Sequence, residues 1–328
     1  TIFTEFKKLG DYHMKNLLVA QSGGPTSAIN ATLAGVVENA LSSPSVDRIY
    51  GSINGIQGVL TENLIDLKTK LTNVSELDLL CQTPASALGS CRVKLKDPAV
   101  CADEYETIIS VLRKYNIDCF IYIGGNDSMD TIKKLSDYAI LNGSTIKFMG
   151  VPKTIDNDLA VTDHTPGYGS AAKYIASITK EVIRDGLVYG TKSVTILEIM
   201  GRNAGWLTGA AALAKGEDCE GPDMIFLPEI PFDVDEFMKK VEQLQKEKSS
   251  VVVAVSEGVK VADGRYVCEL TDNIDYVDAF GHRQLTGTAR YLAERISREV
   301  GCKTRAIEFN SLQRCASHIV GRVDITEA

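Results

Sequence analysis

The chain has 328 residues, 44% of them hydrophobic and 24% charged, with a formal net charge of −8. That length exceeds one ordinary core and fits two domains, and the composition is that of a soluble globular protein. The negative balance speaks against a binder of nucleic-acid phosphates, no apolar run approaches the roughly 20 residues of a membrane span, and any anionic ligand must be held by local cations.

Residues 1–13 carry no strong periodicity and read as an extension without an assigned function. From there one pattern recurs: a short apolar run, a turn rich in Gly, Asp, Ser or Arg, then a helical pattern. The run 16–20 leads into Gln21-Ser22-Gly23-Gly24-Pro25-Thr26 and a helix over 28–41. The run 119–123 leads into Gly124-Gly125-Asn126-Asp127-Ser128 and a helix over 129–141. The run 145–151 leads into Pro152-Lys153-Thr154-Ile155-Asp156-Asn157-Asp158, followed by an amphipathic helix over 171–184. The run 193–199 leads into Met200-Gly201-Arg202 and a helix over 206–214. A helical stretch over 232–248 precedes the run 251–255, which ends in Ser256-Glu257-Gly258. Strands alternating with helices predict βαβ units and mostly parallel sheets, in which ligands bind beyond the carboxyl ends of the strands. All five polar turns fall at such ends.

Each turn has a plain alternative. Ser22-Gly23-Gly24 is either a phosphate cradle, with backbone N–H groups and a helix N-terminus facing an anion, or a structural tight turn. Asn126 and Asp127 either face a ligand or cap the following helix. Asp156 and Asp158, if extended, share one face, where paired carboxylates need a metal, a cation or a shared proton; the alternative is a surface turn. Arg202 stands where a guanidinium can clamp phosphate oxygens, although alone it reads as a surface arginine, as do Arg92, Lys192, Arg305 and Arg314. His13, His164, His282 and His318 lack ligand spacing. The eight cysteines are scattered without a CxxC pair and no signal peptide is visible, which reads as reduced thiols in a cytoplasmic protein.

Taken in order, Ser22-Gly23-Gly24, Leu88-Gly89-Ser90-Cys91-Arg92, the Gly124–Ser128 turn, PKTIDND, Met200-Gly201-Arg202, Ser256-Glu257-Gly258, Thr304-Arg305-Ala306 and Gln313-Arg314 make the chain resemble the phosphofructokinase family from about Leu17 onward. The resemblance implies an α/β fold of two Rossmann-like three-layer domains: a phosphoryl-donor domain over 1–168, to which the chain returns at 312–328, and a fructose 6-phosphate domain over 169–311, with the active site between them. It implies phosphoryl transfer to the 1-hydroxyl of fructose 6-phosphate, with Asp156 as general base. Asp158 supports the metal and the charge arrangement. Arg202 engages the transferring group and the sugar phosphate. Thr154, Ile155, Met200, Gly201, Glu257 and Ser311 are substrate positions, Arg305 and Arg314 hold the 6-phosphate, and Gly24 and Arg92 lie on the donor side. The residues matching Lys192 and Arg305 come from a neighbouring subunit, so a homodimer or homotetramer with shared active sites is implied.

Two residues bear on the donor. ATP-using members have glycine where this chain has Asp127 and usually where it has Lys153; pyrophosphate-using members have Asp and Lys. A carboxylate at Asp127 takes the space of a nucleotide α-phosphate, and two like charges about 4 Å apart at an effective dielectric near 20 repel by about 4 kcal/mol. The expected donor is therefore pyrophosphate, with an ATP-dependent enzyme or an inactive regulatory subunit as the alternatives. Asn126 replaces the family's magnesium-linked aspartate, so Mg²⁺ is expected at Asn126 with one charge fewer. Ala34 and Glu38 replace the effector-site arginines of the bacterial ATP enzymes, which implies no response through that site.

Overall fold

Residues 17–20 alternate between two apolar clusters, Leu17 and Val19 in one and Leu18 and Ala20 in the other. A strand that buries both faces in this way needs a layer of helices on each side. The computed structural model describes residues 16–270 and 286–328, so residues 1–13, His13 and His282 lie outside the described residues. In chain order the first unit contains β1 (Asn16–Gln21), α1 (Ile29–Ser42), β2 (Arg48–Ser52), α2 (Gly55–Leu60), β3 (Leu64–Asp66), α3 (Val74–Gln82), α4 (Ala102–Lys114), β4 (Ile117–Gly124), α5 (Asn126–Leu141) and β5 (Lys147–Pro152). The sheet order is β3-β2-β1-β4-β5, parallel apart from the β2–β3 pair. Leu33 and Val37 of α1 and Leu77 of α3 complete one layer; Ile56, Ile108, Leu112 and Leu135 complete the other.

The second unit repeats the logic. It contains α6 (Tyr168–Leu187), β6 (Ser193–Ile199), α7 (Trp206–Gly209), β7 (Met224–Phe226), α8 (Val234–Glu247), β8 (Ser250–Ser256), α9 (Thr288–Glu299), β9 (Lys303–Glu308), α10 (Leu312–Cys315) and the first turn of α11 (Arg322–Glu327). Its sheet, β7-β8-β6-β9, is wholly parallel. Val194 and Ile196 face the layer that includes α8 and α9, while Leu197 and Ile199 face α6. The α/β three-layer expectation holds in each unit.

The units divide at Thr154/Ile155, and residues 325–328 group with the first. The sequence reading placed the division at 168/169 and the return at 312. The difference has an apolar cause: Ile155 belongs to the core that β6 and α6 share, and Tyr168, Ala316 and Ile319 pack against it. Helix starts differ too. The helix expected from 129 begins at Asn126, with Gly125 as its N-cap and no side-chain cap bond. Asn126 and Asp127 are therefore first-turn residues, neither loop nor cap. The stretch 206–214 is one short α-helix followed by a 3₁₀ turn, Ala210–Ala214.

Candidate active site

In the first unit β1, β4 and β5 are neighbours, so the turns after them emerge side by side. The Ser22 N–H donates to the Ile123 carbonyl at 2.9 Å and the Lys153 N–H to the Gly124 carbonyl at 2.9 Å. The Lys153 side chain, 5% exposed, turns back and donates its ammonium to the Gly24 carbonyl. Gly23 has φ +76°, a backbone conformation that favours glycine.

A buried amide pair fixes the next piece. Gln21 and Asn30 are both 0% exposed and bonded to each other at 3.0 Å. Gln21 Oε1 accepts from Ser86 Oγ at 2.8 Å and Leu88 N at 2.9 Å. Asn30 donates to the carbonyls of Thr83 at 2.8 Å and Ala85 at 3.1 Å and accepts from Ala87 N at 2.9 Å. Segment 83–88 is thereby pinned to β1 and α1. The residues that follow it grip the glycine turn: Ser90 Oγ donates to the Gly23 carbonyl at 2.6 Å, and Ser22 Oγ donates to the Cys91 carbonyl at 3.3 Å. This carries exposed Arg92 to the turn. Asp127, in the first turn of α5, lies 3.5 Å from Lys94; the helix N-terminus favours its negative charge. Among the described residues, no group of three or more His, Cys, Asp or Glu side chains could hold a metal.

In the second unit the turns after β6, β8 and β9 meet around Glu257. Its N–H donates to the Ile199 carbonyl at 2.8 Å, and its Oε1 faces Gly201 N at 3.5 Å. Ser256 Oγ donates to the Gly201 carbonyl at 2.7 Å. Gln313 accepts from Met200 N at 3.2 Å and donates to the Asn310 carbonyl at 3.0 Å, which ties Ser311 and Arg314 to the Met200-Gly201-Arg202 turn. Gly201 has φ +137°, and a Cβ at Gly258 would collide with the Arg202 backbone. Burial is the largest cause pushing the Glu257 carboxyl up to about 8; the Glu198 and Asp156 charges raise it further, and Arg202 opposes them. Glu198, 3% exposed on β6, is pushed up to about 7, again chiefly by burial, while its carboxylate takes N–H bonds from Ala289 at 2.8 Å and from Gly287 at the start of α9.

The segment with Asp156 and Asp158 is not extended. Asn157 between them has φ +56°, so the period-two argument for a shared face fails. Asn157 Oδ1 instead closes a loop, accepting from Thr165 N at 2.9 Å and Thr165 Oγ1 at 2.8 Å. Asp158 is exposed; Asp156 is half-buried, near enough for its charge to act on Glu257. Asp324, 0% exposed, anchors the end of the segment by accepting from His164 at 2.9 Å, Gly167 N at 3.0 Å and Ser170 N at 2.5 Å, so His164 has a polar role.

Lys192 and Arg305 are not brought to the Glu257 cluster. Lys192 precedes β6, and Arg305 pairs with Thr195 near the strand's start, so Lys192 lies roughly 20 Å of strand from the carboxyl end. Arg305 bonds Asp185 at 2.7 Å beside Tyr189. Sequence reasoning placed Gln21 in a turn without its amide role and missed Asn30, Lys94 and Glu198. Each is an isolated polar residue whose partners come from elsewhere in the chain, and only the strand-end position of Gln21 and Glu198 was a signal.

Glycine turns at the carboxyl ends of the strands, beside a buried lysine in one unit and buried carboxyls in the other, suit phosphoryl-transfer chemistry on an α/β fold. Comparison narrows the class: the family model described as Phosphofructokinase matches residues 16–320, and the chain belongs to that family. It is 44% identical to the pyrophosphate–fructose 6-phosphate 1-phosphotransferase of Xanthomonas campestris pv. campestris, over 95% of this chain and 74% of that one. It is 40% identical to the protein of the same name from Halomonas elongata, over 95% of this chain and 74% of that one. The crystal structure of pyrophosphate-dependent phosphofructokinase from Nitrosospira multiformis aligns with a TM-score of 0.80 at 38% identity, covering 95% of this chain and 73% of that one.

Proposed function

We propose that this chain is a pyrophosphate-dependent 6-phosphofructokinase of glycolysis, moving a phosphoryl group reversibly between pyrophosphate and the 1-hydroxyl of fructose 6-phosphate. The observation that carries the donor is the turn where Lys153 grips Gly24 while Asp127 opens α5 nearby. A carboxylate there opposes the α-phosphate of a nucleotide, and a buried ammonium compensates a donor that has no nucleoside to bind.

In this reading Asp156 takes the proton of the sugar hydroxyl, Thr154 and Ile155 place it, and Asp158 adds charge to the arrangement. Arg202 faces the transferring group. Met200, Gly201, Glu257, Ser311 and Arg314 hold the sugar phosphate, Gly24, Arg92 and Lys153 hold pyrophosphate, and Asp127 opposes a nucleotide phosphate. Lys192 and Arg305 serve a neighbouring subunit in a homodimer or homotetramer, and the compartment is the cytoplasm. Asn126, in the first turn of α5, would hold Mg²⁺ through its amide oxygen, with pyrophosphate oxygens supplying the other ligands. When bound the ion neutralises phosphate charge.

The test is fructose 1,6-bisphosphate formation with Mg²⁺ and either pyrophosphate or ATP. Turnover with pyrophosphate alone is expected; turnover with ATP alone overturns the donor. Silence with both favours the regulatory-subunit reading, for which Asn126 is the motive.

A further inference from the structure

An Asp127 carboxylate that repels a nucleotide phosphate should repel pyrophosphate as well, since the unlinked anion carries at least as much charge on its two phosphates. The first unit holds a counterweight outside the motifs. Lys94 Nζ lies 3.5 Å from Asp127 Oδ1, and the two side chains are 53% and 47% exposed. An ion pair this open contributes about 0–1 kcal/mol to stability, so holding the fold does not account for it. Its position is nevertheless built. On one side, Ser90 and Cys91 fix the chain to the glycine turn, through the bonds from Ser90 Oγ to Gly23 and from Ser22 Oγ to Cys91. On the other, Leu95 is 1% exposed, and its carbonyl accepts from Lys134 of α5 at 3.2 Å, itself paired with Asp130 at 2.7 Å. Lys94 is thus set between two anchors, two residues beyond Arg92 and over the first turn of α5.

We infer that Lys94 is a donor-specificity residue: its ammonium offsets the Asp127 charge, so that pyrophosphate is admitted while Asp127 still opposes the extra phosphate of a nucleotide. This rests on the pyrophosphate reading above. Lys153 fills a different place, donating to the Gly24 carbonyl. Lys94 therefore acts on the Asp127 side of the donor, and the two lysines are not redundant.

The test is a double-mutant cycle on the full chain, using Lys94→Gln, Asp127→Asn and the double variant, with Lys94→Arg as the conservative control. Pyrophosphate binding with Mg²⁺ is measured by calorimetry, and both KM values by turnover. Lys94→Gln is expected to weaken pyrophosphate about fivefold, the upper scale of a partly screened charge, with the fructose 6-phosphate KM unchanged and Lys94→Arg close to wild type. In the Asp127→Asn background the same change should cost only about twofold, because there is little charge left to offset. Equal losses in both backgrounds, or no loss from Lys94→Gln alone, overturn the inference. A purely structural role would lower Tm and raise both KM values together, which also overturns it. Wild-type turnover with pyrophosphate decides the functional reading separately from the calorimetric cycle.

Discussion

At the scale of single residues, Asp156 and Glu257 have separable jobs. A general base typically contributes roughly 10²–10⁴-fold, so Asp156→Ala should lower kcat by that order and leave the fructose 6-phosphate KM nearly unchanged. Near-normal steady-state turnover would remove Asp156 from the role. Glu257 gives a pH signature instead. Its carboxyl is raised from 4.5 to about 8, with burial as the first cause. Between those values the folded chain keeps a proton that the unfolded chain has released. Its contribution to stability is therefore fullest near pH 4.5 and is lost as pH rises toward 8. Glu257→Gln removes that dependence, so the variant should gain on the wild type between pH 5 and 8, by roughly 1–3 kcal/mol after allowing for its partial exposure. Parallel unfolding curves across that range would show that the carboxyl is not held protonated. Glu198 titrates in the same region, so the observed midpoint belongs to the pair.

At the scale of elements, the donor side depends on two buried amides that no periodicity announces. Asn30→Ala leaves Gln21 Nε2 with only its bond to the Ile29 carbonyl and strands the carbonyls of Thr83 and Ala85 and the Ala87 N–H. Unsatisfied buried groups cost about 1–3 kcal/mol each before relaxation. Denaturant unfolding should register a net loss of about 2–4 kcal/mol, and the pyrophosphate KM should rise more than the sugar phosphate KM because segment 83–92 is released. Equal changes in the two KM values would mean that the network supports only the fold. The strands were legible because apolar runs such as 119–123 and 251–255 are buried on both faces. The turns after them were legible because glycine and charge interrupt those runs. Local conformation was not: Asn157 with φ +56° broke the extended reading of 156–158, and Asn126 and Asp127 entered the helix that they were expected to cap or precede. The amide network was invisible for a different reason. Gln21 and Leu88 are separated by 67 residues and Asn30 and Thr83 by 53, so only folding brings them together.

At the scale of the whole molecule, the cations divide into two groups on the second unit. Arg202 and Arg314 stand at the carboxyl ends of the strands with Glu257, whereas Lys192 and Arg305 lie toward the amino ends, with Arg305 held by Asp185 at 2.7 Å. A strand is too rigid to bring Arg305 to the Glu257 cluster of its own chain. If Arg305 serves fructose 6-phosphate, it must do so in another copy, and a closed assembly makes that exchange reciprocal. Arg305→Ala and Asp156→Ala should each be inactive alone, for different reasons. Mixed and reassembled in equal amounts, they should regain activity: a hybrid dimer contains one site that has both an intact base and an intact arginine, and one that has neither. Random pairing makes half of the dimers hybrid, so about a quarter of wild-type activity is expected for a two-fold assembly. Recovery should depend on subunit exchange, appearing after dissociation and reassembly and staying absent when preformed oligomers are simply combined. No recovery after verified exchange would place Arg305 outside any shared site and leave its pairing with Asp185 as a surface contact.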